Sequence, residues 1–374
     1  MRHFLSIFLI VFIFPGTINA QTPTPRITRE IHPYAWYQTQ SQKWQSEITQ
    51  NPKNDQAWIN FYEANRAAKI VNGGKSPVSL DEIMADLKAK ANKSYAYHFL
   101  TYRNAGWDDK LFSHLEEAWK LKPNFLGLAE EFVTYHELKS DPANRKKYNH
   151  FWFDSGEMPE ELLTYNYNVL MSLEDNAILI TNGDNDTYPV WMLQDVQGVK
   201  TEVLVINRSL ARMPEYLNKL LKRKGIPAFD YHPEGEQSGN THFDQLIDHL
   251  LRQSNRPLYF ASTIGQDVIY KHRKNLYLTG LASKYSEERF DNISQLIDNV
   301  ENHFLLDYLK INLTPVSSYS SVQMMRQSYL TPLLTLHRHY LENGQKAKVE
   351  ETRKIIENTL KGTKYEREVM ESLR

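Results

Sequence analysis

The sequence contains no cysteine, and this absence limits its covalent chemistry and its metal chemistry. A chain without thiols forms no disulfide bond, has no thiolate nucleophile and offers no thiolate ligand to a metal ion. A lipid-modified N-terminal cysteine is excluded for the same reason. Any metal ion would have to be held by Asp, Glu, His, Asn or carbonyl oxygens.

A dominant charge of either sign is also missing. The chain has 44 Lys and Arg residues against 45 Asp and Glu residues, which gives a formal net charge of −1 with neutral histidines. Such a balance creates no long-range field that would collect nucleic acid or an anionic lipid surface. We therefore expect no nucleic-acid partner.

Long apolar runs are absent beyond the N-terminus. A mainly apolar stretch runs from Phe4 to Phe14, after Arg2 and His3, and small or turn-forming residues follow it up to Ala20. This is the layout of a secretory signal peptide, and the stretch is well short of the roughly 20 residues that span a bilayer. We expect cleavage after residue 20, a mature chain without a transmembrane segment, and a periplasmic or secreted location.

The next 130 residues or so indicate a leader followed by helical hairpins. Residues 21–33, "QTPTPRITREIHP", are polar and contain three prolines, which favour an extended leader. Helical periodicity then fills residues 34–150, with similar helix junctions at Pro52 and Pro123. Their spacing is close to twice the roughly 34 residues of a tetratricopeptide helix pair, and the segments "NPKNDQAW" and "EEAWKLKPN" resemble tetratricopeptide junctions. The pattern predicts stacked tetratricopeptide-like hairpins, with an irregular helical bundle as the alternative.

The pattern changes in residues 151–290, where short apolar runs alternate with amphipathic segments. Strands that alternate with helices predict an α/β domain with a mainly parallel, Rossmann-like sheet. Helical periodicity returns in residues 291–374 and predicts a C-terminal helical region. The predicted strands lie within 176–181, 202–207, 257–262 and 275–280, and the predicted helices between and after them within 188–197, 213–224, 242–253 and 293–309.

A candidate site follows the first predicted strand, in "ITNGDNDTYPVW" (180–191). Gly183 is expected to turn the backbone sharply at the carboxyl edge of the sheet, where open α/β folds bind their ligands. Asp184 and Asp186, two apart in an extended segment, are expected to project to the same side. Two such carboxylates suit a divalent cation (Mg²⁺, Mn²⁺ or Ca²⁺) or the hydroxyl groups of a sugar, with Asn185 as a neutral partner.

The same residues also suit a purely structural turn. Asp186 or Thr187 could accept hydrogen bonds from free amides at the start of the next helix, and Pro189 fits its first turn. Asp184 and Asn185 could close a turn onto their own backbone. The composition of the loop leaves both interpretations open.

A second group of candidates stands at the end of the next strand. Asn207, Arg208 and Ser209 should lie beside the first loop if the two strands are neighbours. Arg208 would then either meet an anionic group or pair with one of the two aspartates. The expected ligand-binding residues are Gly183, Asp184, Asn185, Asp186, Thr187, Asn207, Arg208 and Ser209, with Ser262 and Thr263 of the third strand as additional hydroxyl groups.

The segment "ILITNGDNDTYPVWMLQDVQGVKTEVLVINRSL" resembles the soluble portion of a family of bacterial multi-pass membrane proteins related to animal protein O-mannosyltransferases. The family pattern is a strand, Gly-Asp-Asn-Asp-Thr-Phe-Pro, a helix containing Trp, and a Val-rich strand ending in Asn-x-Ser-Leu. Here Tyr188 replaces Phe, Trp191 supplies the tryptophan, and Asn207 and Ser209 end the second strand. The resemblance covers residues 174–218 and implies an α/β module. It does not imply glycosyl transfer, because that chemistry is expected in a transmembrane part that has no counterpart here.

Three functional hypotheses follow. The first is an exported binding or assembly protein of the bacterial cell envelope, with a protein partner on the helical repeats and a glycan or small-molecule ligand in the α/β crevice. The second is a metal-assisted enzyme acting on a glycan or on a nucleotide-linked or phosphorylated sugar, with Asp184 and Asp186 as metal ligands. The third is an α/β module that only spaces two helical arms. No obligatory cofactor is expected.

Overall fold

The computed structural model describes residues 22–233, 241–311 and 320–373. The predicted signal peptide, residues 1–20, lies outside these ranges. None of the helices within them has both the length and the apolar character needed to cross a bilayer.

Eight helices follow the leader. Several of them begin at a residue whose side chain caps the helix. The Asn54 side chain accepts from the Ala57 amide, and Ser79 forms a reciprocal capping box with Glu82. Consecutive helices from α1 to α7 contact each other, and apolar side chains of the first six form a common core. Helical structure is thus confirmed for this region, while the tetratricopeptide likeness stays a prediction. The helices are α1 (Tyr34–Gln50), α2 (Asp55–Val71), α3 (Leu80–Ala91), α4 (Tyr95–Asn104), α5 (Phe112–Leu121), α6 (Gly127–Leu138), α7 (Pro142–Asp154) and α8 (Glu160–Met171).

A five-stranded sheet forms the α/β part, in the spatial order β2-β1-β3-β5-β4. β1 pairs in parallel with both β2 and β3, and all residues of these three strands are buried, as expected for strands covered on both faces. β5 is antiparallel to both β3 and β4. The strands are β1 (Ile178–Thr181), β2 (Leu204–Asn207), β3 (Leu258–Ala261), β4 (Leu276–Leu278) and β5 (Ala282–Tyr285).

The expectation of a mainly parallel sheet is therefore wrong, because the sheet is mixed. β5 has the sequence "ASKY", which is short, half polar and half-buried, and so has no apolar run to mark it. The backbone reverses between β4 and β5 at Gly280, whose φ of +157° disfavours a side chain. A Cβ there would also clash with the Ser172 hydroxyl oxygen.

The bounds of the three helices next to the parallel strands agree with the ranges predicted from the sequence to within one residue. They are α9 (Tyr188–Gln197), α10 (Pro214–Arg223) and α11 (His242–Gln253). Pro189 stands in the first turn of α9, as predicted, and Gly198 ends that helix with a φ of +70°.

The C-terminal helix predicted over residues 293–309 is interrupted. Asn299 begins a π-helical turn and donates to the Thr279 carbonyl at 2.7 Å. The Asn168 side chain then accepts from the Leu305 amide at 2.8 Å and holds the backbone there in an extended form. The helices of this region are α12 (Asn292–Asp298), α13 (Asp307–Lys310), α14 (Ser320–Gln327), α15 (Leu330–Glu342), α16 (Lys346–Leu360) and α17 (Glu366–Ser372).

Candidate functional site

Asp186 is the centre of a hydrogen-bonded turn at the end of β1. Its Oδ1 accepts from the Gly183 amide at 2.8 Å, and its Oδ2 accepts from the Asn182 amide at 2.7 Å and from the Thr263 hydroxyl. Only 1% of the residue is exposed. Burial raises the pKa of Asp186, whereas these hydrogen bonds lower it. Both carboxylate oxygens are thus committed to the protein itself.

The expected projection of Asp184 and Asp186 to one side is wrong. Residues Asp184–Asp186 form a 3-10 turn, so the two side chains point in different directions. Gly183 has a φ of −162°, an extended conformation open to any residue, and a Cβ there would meet nothing within 4 Å. The sharp glycine hinge expected at this edge is therefore absent.

Buried polar side chains join the ends of β1 and β2. The Thr187 hydroxyl donates to the Gly183 carbonyl at 2.5 Å and lies 2.6 Å from the Thr181 hydroxyl oxygen. The Asn207 amide donates to Thr187 Oγ1 at 2.9 Å, and its carbonyl oxygen accepts from the backbone amide of Ser209 at 2.9 Å. The sequence correctly predicted that these two strand ends meet. Thr187, Asn207 and the backbone of Ser209 are engaged in structural hydrogen bonds.

The leader lies directly against the GDNDTYP loop (183–189). The Asn185 side chain donates to the Thr28 carbonyl at 2.7 Å and accepts from the Arg29 guanidinium at 3.0 Å. The Asn185 carbonyl accepts from the Asn166 side chain on α8 at 2.9 Å. The Arg29 guanidinium also lies 5.9 Å from the ring centre of Trp152. Asn185 is therefore covered by the chain's own N-terminal segment.

Asp184 faces a group of charged side chains, here called the arginine–carboxylate cluster. Burial, followed by the nearby charge of Glu130, raises the pKa of Asp184 to about 6. The positive charges of Arg26, Arg29 and Arg103 act in the opposite direction. The cluster consists of Arg26, Arg29, Glu63, Arg103, Glu130, Glu131 and Asp184.

Two arginines hold the carboxylates of this cluster together. Arg26, from the leader, forms an ion pair with Glu130 and donates to the Gly127 carbonyl at 2.8 Å. Arg103, from α4, bridges Glu131 and Glu63, with a distance of 2.8 Å to Glu63. Sequence reasoning missed the cluster because its members come from the leader, three helices and the loop, and no local pattern connects them.

Arg208 does not pair with Asp184 or Asp186, so that expectation is wrong. Its guanidinium donates to the Asn182 side-chain carbonyl at 3.1 Å and lies 6.0 Å from the ring centre of Phe243. The aspartates are unavailable to it because Asp186 folds back onto its own turn and Asp184 faces α6. Arg208 is left at the border of an open space.

That space is a crevice of about 510 Å³ beyond the carboxyl ends of β2 and β3. We call it the basic crevice. Its walls come from the turn after β2, the first turn of α11 and the segment after β3, which is the position where open α/β sheets bind ligands. The sequence located this edge but named only Arg208 among the lining side chains. These are Arg208, Arg212, Thr241, His242, Phe243, Asp244, Asp267, Val268, Tyr270 and Lys271.

A metal site at the GDNDTYP loop receives no geometric support. Among residues 22–233, 241–311 and 320–373, no three Asp, Glu or His side chains are grouped in a way that could hold a metal ion. A cation at Asp186 would have to displace two backbone amides and the Thr263 hydroxyl from its oxygens. The metal-assisted enzyme stays a prediction from sequence.

The comparisons with known proteins single out the same part of the fold. No protein with a curated description and no solved structure matches the chain. Residues 163–227 match the family model described as TMEM260-associated domain 2. This segment runs from within α8 through β1, the GDNDTYP loop, α9 and β2 to the end of α10, and the match is consistent with the resemblance inferred from its sequence. Over these residues the chain is similar to a TMEM260-associated domain.

Proposed function

We propose that the chain is an exported binding protein of the bacterial cell envelope. In this proposal the α/β part binds a small ligand in the basic crevice, and the helical regions present a surface to a protein partner. The crevice is the observation that carries the proposal. It is an open space of about 510 Å³, within the usual size of small-molecule sites, at the ligand-binding edge of the sheet.

The hydrogen bonds of the GDNDTYP loop favour a structural role of that loop over a catalytic one. Hydrogen bonds within the turn and between strand ends engage the side chains of Asp186, Thr187 and Asn207. Asn185 is held by the leader and by α8. The loop thus fixes the sheet edge, and the basic crevice beside it provides the open, polar surface.

Ligand binding can be tested by native mass spectrometry of the chain from residue 21 onward, incubated with a small-molecule extract of the envelope. We expect a discrete adduct that is lost in a Phe243→Ala variant and retained in a Phe290→Ala variant, whose ring is on the opposite border of the sheet beside β4. An adduct that persists in Phe243→Ala would place the ligand elsewhere. The absence of any adduct would contradict the ligand-binding part of the proposal.

The partner surface can be tested by photo-crosslinking in cells. Ile70 at the end of α2 and Leu121 at the end of α5 are large apolar side chains with exposed fractions of 56% and 47%. A photoreactive residue at either position should crosslink to one defined envelope protein, whereas the same residue at Lys219 on α10 should not. Equal crosslinking at all three positions would contradict a specific helical surface.

A further inference from the structure

The lining of the basic crevice indicates the chemical class of its ligand. We infer that it binds a phosphate monoester carried on a ring, that is, a sugar phosphate or a nucleotide. This inference rests on the proposed function, because it specifies the ligand of the same crevice.

Two arginines line the crevice without a carboxylate partner among the residues that the structure describes. Arg212 is exposed and makes no side-chain ion pair or hydrogen bond within the part of the chain that the structure describes. Among residues 22–233, 241–311 and 320–373, the Arg208 guanidinium bonds to the neutral side-chain amide of Asn182, at 3.1 Å, and to no carboxylate. A guanidinium group presents a planar set of donors that matches a phosphate, and phosphate is a preferred partner of arginine. Both guanidinium groups are therefore free to pair with an anionic ligand.

The acidic side chains of the crevice offset this charge only in part. The Asp244 carboxylate accepts from the Thr241 amide at 3.0 Å and from its hydroxyl at 2.8 Å. It also pairs with Lys271 at 3.1 Å, so this acid and this lysine largely neutralise each other. Asp267 is the remaining acidic residue of the lining. Among the lining residues that the structure describes, two arginines stand against one acid without an ion pair, which gives them a positive balance.

The fold adds a second source of positive potential. α11 has twelve residues, and its first turn, at His242 and Phe243, forms part of the crevice wall. The N-terminus of a helix carries partial positive charge on its free amides and favours anions. The helix alone would not define a site. Thr241 and Asp244 cap this turn and offset part of its potential, so Arg208 and Arg212 are the main positive groups and the helix start adds to them.

Aromatic side chains of the crevice can stack on the ring of the ligand. Phe243 lies next to the Arg208 guanidinium, and Tyr270 is 57% exposed at the rim. Phe243 is half-buried, and the Arg273 guanidinium lies 4.0 Å from the ring centre of Tyr270. Aromatic rings stack on sugar rings and on bases, while the arginines would hold the phosphate. A volume of about 510 Å³ holds a phosphate with one or two rings.

The test is calorimetric titration of the chain from residue 21 onward with matched pairs of compounds at low salt. Glucose 6-phosphate is compared with glucose, and adenosine monophosphate with adenosine; inorganic phosphate is titrated alone. We expect at least one phosphate ester to bind about tenfold or more tightly than its neutral partner, which corresponds to one charge-assisted hydrogen bond. The preferred pair distinguishes a sugar from a nucleotide.

Two variants test whether the phosphate ester binds in the basic crevice. Arg212→Gln removes an exposed guanidinium and should weaken binding of the phosphate ester about tenfold, with an unchanged far-UV circular dichroism spectrum. Arg338→Gln, an exposed arginine on α15, is the control and should bind as the parent does. Raising the ionic strength should weaken binding to the parent more than to Arg212→Gln.

The outcomes separate this inference from the proposed function. If glucose or adenosine binds as tightly as its phosphate, and Arg212→Gln binds like the parent, the crevice has a neutral ligand and the anion inference is wrong. If no phosphate ester binds but native mass spectrometry shows an adduct that depends on Phe243, the inference fails and the proposed function stands. If neither method detects a ligand, both are wrong.

Discussion

Two acidic residues of one turn have opposite environments, although they are only two positions apart. Asp186 is surrounded by donors, which include two backbone amides and the Thr263 hydroxyl. Asp184 faces another carboxylate, Glu130, in a half-buried setting. Burial raises the pKa of both acids, but the donors around Asp186 offset part of this effect, whereas the charge of Glu130 adds to it at Asp184.

Asp186→Ala should destabilise the protein strongly. The substitution leaves the amides of Asn182 and Gly183 and the Thr263 hydroxyl without their acceptor in a buried place, so we expect a loss of about 2–5 kcal/mol in the free energy of unfolding. Urea denaturation measures this value. Gly183→Ala is the control within the same turn: its backbone is extended and its Cβ position is empty, so a change within about 0.5 kcal/mol is expected. Similar losses in the two variants would contradict the role given to Asp186.

Asp184→Asn should stabilise the protein, and the gain should depend on pH. The folded protein binds a proton at Asp184 with a pKa of about 6, above the value of about 4 in the unfolded chain. Between these pH values the folded state binds more protons, so this group lowers the free energy of unfolding as the pH rises from about 4 to about 6. Asparagine does not ionise. The gain of the variant should therefore be small near pH 4 and reach about 1–2 kcal/mol above pH 6.

Thermal unfolding across this pH range tests the prediction. Asp175→Asn is the control, because its carboxylate pairs with Lys200 and its pKa is lowered by the hydrogen bond and charge of that lysine. Asp175→Asn should show no gain at any pH. If Asp184→Asn gains as much at pH 4 as at pH 7, the raised pKa of Asp184 is not the cause.

At the scale of elements, the sequence predicted the strands and helices whose apolar residues recur in a regular local pattern. β1, β2 and β3 are apolar runs, and α9 and α11 are amphipathic segments with clear boundaries, so each was found close to its place. β5 was missed because its half-polar sequence carries no such run. The sequence placed Thr263 at the same sheet edge, but as a hydroxyl for a ligand. In the structure it donates to Asp186, 77 residues away, a pairing that no local pattern encodes.

The leader is an element that the sequence predicted only as an extended segment. In the structure it contacts the N-terminal helices, the GDNDTYP loop and the C-terminal helix α14. Thr24 accepts a hydrogen bond from Trp44 on α1, Arg26 pairs with Glu130 on α6, and the Arg29 carbonyl accepts from the Ser321 amide on α14. Composition gives no sign of these contacts, since prolines and polar residues describe a flexible linker equally well.

Arg26→Ala should loosen the leader and destabilise the fold. Removal of this guanidinium leaves Glu130 with one cation fewer in a buried cluster and removes a hydrogen bond to the Gly127 carbonyl, so we expect a loss of about 2–4 kcal/mol. The control is Lys90→Ala, which breaks an exposed ion pair with Asp86 and should change stability by less than about 1 kcal/mol. Urea denaturation gives the two values, and hydrogen exchange at the Thr24 amide, which donates to the buried Asn60 side chain at 2.6 Å, reports on the leader. Unchanged exchange in Arg26→Ala would contradict its anchoring role.

At the scale of the whole molecule, one hydrophobic core extends from α6 to α16. It includes the three parallel strands, α9 to α11 and the buried faces of the C-terminal helices. The sequence could not show this continuity, because periodicity identifies the apolar face of a helix but not the element that covers it. A second core, around Trp58 and Phe99, is formed by residues of the first six helices.

A cavity in the C-terminal helices should therefore destabilise the sheet. Leu336 and Leu341 lie on the same helix, α15, but Leu336 is fully buried in the common core and Leu341 is 63% exposed. Leu336→Ala should cost about 2–5 kcal/mol, and Leu341→Ala less than about 0.5 kcal/mol. Because the core is continuous, the loss in Leu336→Ala should also accelerate hydrogen exchange at the slowest amides of β1 by the corresponding factor. If those amides exchange at the parent rate, the C-terminal helices unfold as a separate unit and the sheet does not depend on them.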